Sequence, residues 1–134
     1  MKTIRDFIEG IGITATAVRT DRNPHMQYGS GYMDHWRVTL RRPDTEQRLT
    51  VYFSMGSGHH GKEPDAAGVL DCLASDSAGI ENARDFEDWC SDYGYDTDSR
   101  KAHKTWTACQ RQADHLKAFM GTQYQALLFE TERL

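Results

Sequence analysis

The sequence lacks most of the features that would assign a function at sight. Its 134 residues include only three cysteines and three prolines, and they contain no internal repeat or low-complexity tract. No apolar run approaches the roughly 20 residues that a membrane-spanning helix needs. The N-terminal residues also lack the long apolar stretch of a signal peptide. We therefore expect a protein that stays in the cytoplasm and has no membrane partner.

The cysteines are too few and too scattered for a disulfide framework. Cys72, Cys90 and Cys109 are odd in number, and none of them belongs to a Cys-x-x-Cys pair. Each falls beside apolar neighbours in a predicted helix, which favours reduced, buried thiols. Free thiols of this kind fit a reducing compartment.

Catalytic motifs are missing as well. The chain has no nucleophile elbow and no comparable local arrangement of Ser or Cys with His and a carboxylate. Residues 56–61 read Gly-Ser-Gly-His-His-Gly, which formally matches the dinucleotide-binding pattern. However, a predicted hairpin precedes them, and Glu63 and Asp65 would repel a pyrophosphate. We therefore predict a surface loop here, no cofactor and no enzyme activity. A small enzyme built around His59 or His60 is left open as a third hypothesis, without a named substrate.

No metal site stands out either. His59 and His60 lie near Glu63, but no third ligand follows at a recognisable spacing. The aspartates between positions 92 and 98 lack the central glycine and terminal glutamate of a calcium loop. Turn and helix-capping roles explain these aspartates, so we predict no bound metal.

Residue periodicity predicts three strands in the first half of the chain. The stretch 13–19 is rich in β-branched residues, and 35–41 alternates Trp36, Val38 and Leu40 with polar residues. Residues 49–54 alternate in the same way after a turn, so the second and third strands should form a hairpin.

Helical spacing dominates elsewhere. Thr3 can cap a short first helix that glycines at 10 and 12 end. After the strands we predict a helix that Pro64 begins and that residues 75–79 break. A second helix has an apolar face around Trp89. A long helix capped by Thr97 or Asp98 follows, and a final helix lies within 123–131.

These elements predict an α+β fold in a single domain, residues 1–134. Residues 1–62 would form the short helix followed by a three-stranded antiparallel sheet, and residues 63–134 would form the helical part. About four C-terminal helices would cover one face of the sheet. An exposed Trp or Tyr on the long helix would favour a homodimer, and we leave that alternative open.

Charge is strongly segregated along the chain. The formal net charge is −4. Residues 63–98 hold a single basic residue, Arg84, against eleven acidic ones, while the segments on either side are both net positive. Asymmetry of this size bears on partners and on electrostatic steering rather than on the fold.

One set of acidic residues has helical spacing. Glu81, Asp85, Asp88 and Asp92 are four, three and four residues apart, and Asp96 follows. On a single helix these side chains would form a line opposite the apolar face, with about 5–6 Å between neighbouring Cβ atoms. Such a line is commonly a solvated surface, but it can also imitate a nucleic-acid backbone or dock on a basic groove of another protein.

A second set is basic. The element order up to residue 75, helix–strand–strand–strand–helix, is that of a double-stranded-RNA-binding domain. The position that grips phosphates in that fold, 62–65, reads Lys-Glu-Pro-Asp, which has the wrong charge. The predicted hairpin still carries a basic patch. The alternative nucleic-acid-binding set is Arg37, Arg41, Arg42, Arg48, His59, His60 and Lys62.

Several longer segments carry a family resemblance. They are residues 36–43 (WRVTLRRP), 53–56 (FSMG), 69–76 (VLDCLASD), 86–89 (FEDW) and 92–101 (DYGYDTDSRK). Through them the chain resembles a family of small bacteriophage- and prophage-encoded proteins to which no activity is assigned. The resemblance covers most of the chain from about residue 35 onward, and it implies a phage accessory protein that acts inside a bacterium.

The resemblance and the acidic line together suggest an inhibitor of a bacterial defence system, most simply an anti-CRISPR protein. Its partner would be a host protein or ribonucleoprotein complex such as a Cas effector. Glu81, Asp85, Asp88, Asp92 and Asp96 would occupy a basic nucleic-acid-binding surface of that complex. The alternative is a nucleic-acid-binding module that uses the hairpin arginines and the Gly-rich loop.

Overall fold

The structure is a computed structural model that describes residues 1–24, 33–55 and 62–134. The predicted Gly-rich loop at 56–61, with His59 and His60, lies outside the described residues. In chain order the elements are β1 (Lys2–Thr3), α1 (Ile4–Ile11), β2 (Thr14–Thr20), β3 (Asp34–Arg42), β4 (Gln47–Met55), α2 (Ala66–Asn82), α3 (Phe86–Tyr93), α4 (Arg100–Met120), a single 3-10 turn (Gly121–Gln123), α5 (Tyr124–Phe129) and β5 (Thr131–Glu132).

The predicted three-stranded antiparallel sheet is confirmed, with the strand order β2-β3-β4. Its central strand, β3, buries Trp36, Val38 and Leu40 on one face, as their alternation predicts. The remaining strands, β1 and β5, form a separate parallel pair of two residues each, which joins the two ends of the chain. That pair is too short to leave a periodic pattern, and the sequence did not predict it.

The main core is built from both halves of the chain. Ile4 and Ile8 of α1 and the inner face of the sheet pack with Leu70 of α2, Leu116 of α4 and Leu127 of α5. The α+β class and the four helices that follow the sheet are therefore as predicted. None of the described helices combines the length and the apolar character that crossing a bilayer would require.

Local capping sets where the helices begin and end. The Thr3 hydroxyl accepts a hydrogen bond from the Asp6 backbone N–H, and Gly12 ends α1 in the left-handed region at φ 85°, both as predicted. The cap of α4 is different from the prediction. Ser99, rather than Thr97 or Asp98, accepts from the Ala102 N–H.

The break predicted at 75–79 is wrong, because α2 runs unbroken from Ala66 to Asn82. Its small residues serve close packing rather than a turn: Ser77 is buried, and Gly79 lies against the Tyr93 ring of α3. A Cβ atom at Gly79 would overlap the Tyr93 hydroxyl and stand 2.9 Å from Cζ. The glycine thus lets α3 approach α2.

A second, smaller hydrophobic cluster holds α3 against the N-terminal half of α4. Trp89 and Cys90 are buried there, and Trp89 stacks on Tyr95 with ring centroids 5.2 Å apart. Trp106, the only Trp or Tyr on α4, packs in this cluster and is partly buried, so the exposed aromatic residue that would have favoured a homodimer is absent from α4. Cys72 is exposed, which corrects the prediction of a buried thiol.

Candidate functional site

The predicted acidic line does not form. Glu81 belongs to α2, whereas Asp88 and Asp92 belong to α3, and the extended backbone of Ala83 (ψ 134°) ends α2 between them. Asp85 lies outside both helices as the N-cap of α3. The prediction of one helical row of four carboxylates is therefore wrong, because the spacing continues across a helix boundary that the charged side chains do not reveal.

Most of these carboxylates also have structural partners. Asp85 Oδ1 accepts from the Asp88 backbone N–H (2.9 Å), which caps α3. Asp88 accepts from the Arg84 backbone N–H (3.0 Å) and pairs with the Arg84 guanidinium (3.6 Å). Asp96 accepts from the Asp98 backbone N–H (3.0 Å) in a turn. Acidic residues at a helix N-terminus stabilise its unpaired amides, which accounts for their presence there.

Glu81 has a different role. Its Oε1 accepts a hydrogen bond from the hydroxyl of the buried Tyr124 (2.9 Å), so it satisfies a polar group of the main core. Burial, followed by this hydrogen bond, raises the pKa of the Tyr124 hydroxyl. Glu81 therefore has a structural role that the charge pattern alone does not reveal.

The acidic residues closer to α2 are engaged as well. Asp65 caps α2 and pairs with Arg5 (2.8 Å), and Asp71 lies 3.8 Å from the Arg133 guanidinium. Asp76 accepts from the Gln112 amide (3.4 Å). Within the described ranges, the segment's exposed acidic residues that form no hydrogen bond or ion pair are Glu63, Glu87, Asp92 and Asp98.

The uncovered face of the β2-β3-β4 sheet is very different. We call this surface, opposite the core, the open face. Its residues are Thr14, Thr16 and Val18 of β2, Arg37, Thr39 and Arg41 of β3, and Arg48, Thr50 and Tyr52 of β4. Val18 is 49% exposed and Tyr52 is 36% exposed.

Strand register brings three arginines together on the open face. Arg41 lies directly opposite Arg48 of β4, and Arg37 lies directly opposite Tyr52. Neighbouring strands are about 4.8 Å apart, and four residues along a strand span about 13 Å. The three guanidinium groups therefore project from one compact patch.

The charges of this patch are not balanced. No carboxylate among the described residues forms an ion pair with Arg37, Arg41 or Arg48. Like charges directly opposite each other on adjacent strands destabilise a sheet. The Arg41–Arg48 pair therefore has no structural explanation within the described chain, and it presents an uncompensated positive surface.

Arg42 does not belong to this patch. It lies on the inner side of β3 with 6% of its surface exposed, and its guanidinium donates to the carbonyl oxygens of Phe119 (3.1 Å) and Met120 (2.6 Å). It also donates two hydrogen bonds to the Asp44 carboxylate (3.1 and 2.7 Å). This hydrogen bonding from Arg42 lowers the pKa of the Asp44 carboxyl. Arg42 caps the C-terminus of α4, so its predicted exposure to nucleic acid is wrong.

One end of the sheet is closed by a polar cluster. His35 is buried, with its Nδ1 atom 2.7 Å from Ser54 Oγ, and the Asn23 amide donates to the same Oγ atom (3.1 Å). No described carboxylate forms a hydrogen bond or ion pair with His35. The geometry is that of a hydrogen-bonded anchor between β3 and β4.

A groove runs along the outer edge of β4. Its volume is about 350 Å³. Residues 49–52 form one wall, and Ala108, Arg111, Gln112 and His115 of α4 form the other. These helical residues recur at i, i+3, i+4 and i+7, so they share one face of α4. That spacing is visible in the sequence, but nothing there indicates that the face borders a strand.

Lys62, the last member of the predicted basic set within the described chain, lies elsewhere. It lines a cavity of about 520 Å³ together with Arg5, Glu63 and Asp65, where acidic residues balance its charge. In the ranges that are described, no group of three or more His, Cys, Asp or Glu side chains is placed to hold a metal ion.

The protein has an α+β fold with helices on one face of an antiparallel sheet, and among the described residues the opposite face exposes three arginines. Comparison of the chain with protein-family models, with curated proteins and with solved structures gave no match.

Proposed function

We propose that this protein binds nucleic acid through the open face, with Arg37, Arg41 and Arg48 contacting phosphate groups. The observation that carries the proposal is the uncompensated Arg41–Arg48 pair, because a phosphate between two guanidinium groups would turn a repulsive contact into two attractive ones. Phosphate contacts of this kind supply most of the affinity of non-specific nucleic-acid binding.

The rest of the open face suits the same ligand. Thr16, Thr39 and Thr50 form a row across the three strands, between the row of Arg41 and that of Arg37. Hydroxyl groups commonly donate to phosphate and sugar oxygens. The net charge of −4 does not oppose binding at this face, since at physiological salt charges separated by more than about 8 Å are largely screened.

The test is fluorescence anisotropy with a labelled 20-nucleotide DNA strand at about 50 mM salt. A triple variant, Arg37→Gln, Arg41→Gln and Arg48→Gln, should lose binding by at least about 100-fold, as expected when three phosphate contacts are removed. The matched control changes Arg22, Arg84 and Arg100 to Gln, since these residues are exposed, lie outside the open face and give the same net charge. Equal losses in both triples, or no binding by the unaltered protein, would exclude this function.

A second candidate keeps the inhibitor hypothesis in a reduced form. Glu87, Asp92 and Asp98 remain exposed around α3 without ion-pair partners among the described residues. Together with the resemblance to phage-encoded proteins, this surface supports docking on a basic surface of a bacterial defence complex, such as a Cas effector. Asp85, Asp88 and Asp96 contribute charge there, but their first role is to stabilise local structure.

The inhibitor proposal has its own test. Reversing Glu87, Asp92 and Asp98 to Lys should abolish salt-sensitive capture of a Cas complex from host lysate, and mass spectrometry would identify the captured proteins. The control changes Glu130 and Glu132 to Lys, because these residues lie outside residues 63–98, the acidic segment. Unchanged capture of the same complex by the α3 variant would remove the acidic mechanism.

A further inference from the structure

The groove along β4 is continuous with the open face. Thr50 and Tyr52 belong to both surfaces, because the open face ends at the edge strand and the groove begins there. Arg111 extends the basic character beyond the edge of the sheet onto α4. A chain of phosphates lying on the open face would therefore reach the mouth of the groove.

The lining of the groove combines apolar and polar side chains. Leu49, Val51 and Ala108 are apolar, Arg111 is cationic, and none of the described residues that line the groove is acidic. A site of about 350 Å³ lies in the range of small-molecule pockets, where apolar surface provides contact and a few polar groups provide orientation. A planar aromatic ligand that carries a negatively charged group matches both features.

We propose that the groove takes an unpaired nucleobase, so that the protein prefers single-stranded over double-stranded nucleic acid. This inference rests on the proposed function of the open face. The base would lie beside Tyr52 in the groove, and Arg111 would contact the phosphate that follows. Stacking of bases on aromatic side chains tolerates any sequence, because every base has a π-face.

The preference for single strands follows from geometry. A base in the groove must leave its partner and its neighbours in the stack, which costs a few kcal/mol in a duplex and much less in a single strand. Duplex DNA would still contact the arginines of the open face, but without the contribution from stacking. Affinity for a single strand should therefore exceed affinity for a duplex of equal length.

The first measurement separates base binding from phosphate binding. The probes are labelled ten-nucleotide oligothymidylate, an abasic ten-mer with the same number of phosphates, and a ten-base-pair duplex. Oligothymidylate should bind at least about fivefold more tightly than the abasic strand, the lower end of what stacking one base contributes. Equal affinities for the two strands would overturn the inference while leaving the proposed function intact.

The second measurement locates the base. Ala108 is exposed on the α4 wall, so Ala108→Phe fills the groove without removing a charge or a core contact. The control, Ala118→Phe, adds the same side chain at another exposed position of α4 that does not line the groove.

Ala108→Phe should reduce oligothymidylate affinity to that of the abasic strand and leave abasic binding unchanged, while Ala118→Phe should change neither. Wild-type affinity for oligothymidylate in Ala108→Phe would show that no base enters the groove. If the unaltered protein binds neither oligothymidylate nor the abasic strand, the proposed function fails together with the inference.

Discussion

The acidic segment, residues 63–98, carries eleven carboxylates and the open face carries three arginines, and the two regions use their charges differently. The carboxylates of Asp85 and Asp88 satisfy backbone amides, and that of Glu81 accepts from a buried tyrosine. The guanidinium groups of Arg37 and Arg41 contact no described carboxylate. The comparison teaches that charge in a sequence becomes available for a partner only where the fold does not already use it.

The sharpest contrast lies within one dipeptide, Arg41–Arg42. Arg42→Ala should destabilise the protein by about 2–4 kcal/mol, because it removes a nearly buried cation that bonds two carbonyl oxygens and Asp44. Arg41→Ala should change the free energy of unfolding by less than about 0.5 kcal/mol, as exposed substitutions usually do.

Urea denaturation of the two variants measures the difference. Similar destabilisation of both would contradict the assignment of one arginine to the core and the other to the open face. The Arg42→Ala variant should also lose protection from hydrogen exchange at the C-terminus of α4 first, where the capping bonds are removed.

The same contrast exists among the acidic residues. Glu81→Ala should cost about 1–3 kcal/mol, because the buried hydroxyl of Tyr124 loses its acceptor. Glu87→Ala, which changes the net charge equally, should be within about 0.5 kcal/mol of the unaltered protein. Thermal unfolding of the pair tests this, and a larger loss for Glu87→Ala would mean that the acidic surface is built differently.

Substitutions where α3 packs against α2 should change the free energy of unfolding by a smaller amount, and the direction of that change can be tested. Gly79→Ala should destabilise by about 1–2 kcal/mol, since the new methyl group displaces the Tyr93 ring. In a Tyr93→Ala background the same change should become stabilising, because alanine has the higher helix propensity by up to about 1 kcal/mol. Gly10→Ala, where a Cβ meets nothing within 4 Å, is the control that should stabilise in either background.

The thiols provide the mildest probe, and they report on how the helices pack. Burial, followed by the charge of Asp76, raises the pKa of the Cys109 thiol to about 11. Because the thiolate is the reactive form, alkylation of Cys109 should keep accelerating up to about pH 11. Cys72 on the exposed side of α2 should be modified first and the buried Cys90 last. Peptide mass spectrometry measures the order, and early modification of Cys90 would contradict the packing around Trp89.

Much of the fold follows from alternation and capping. Trp36, Val38 and Leu40 alternate with Arg37, Thr39 and Arg41, and this parity correctly separates the inner face from the open face. The same parity places Arg42 with the buried residues, although its charge groups it with Arg37 and Arg41. Alternation therefore carried more information about the site than the count of basic residues did.

Other features were beyond local reasoning. The Ser and Gly residues of 75–79 are typical of a turn, but tertiary packing against Tyr93 keeps them helical. The prediction of one row of carboxylates is wrong because regular spacing does not show where a helix ends. Here α2 ends at Ala83, between Glu81 and Asp85. The groove forms because one face of α4 borders β4. This is a contact between distant segments, and neither the strand alternation nor the helical spacing predicts it.

If the three arginines of the open face bind phosphates, DNA binding must weaken in a predictable way as the salt concentration rises. The logarithm of the association constant for a single strand should fall with the logarithm of salt concentration with a slope of about −2, as expected for three contacts. Each single substitution of Arg37, Arg41 or Arg48 by Gln should make the slope shallower by about 0.7. A slope that stays the same in all three variants would contradict the account.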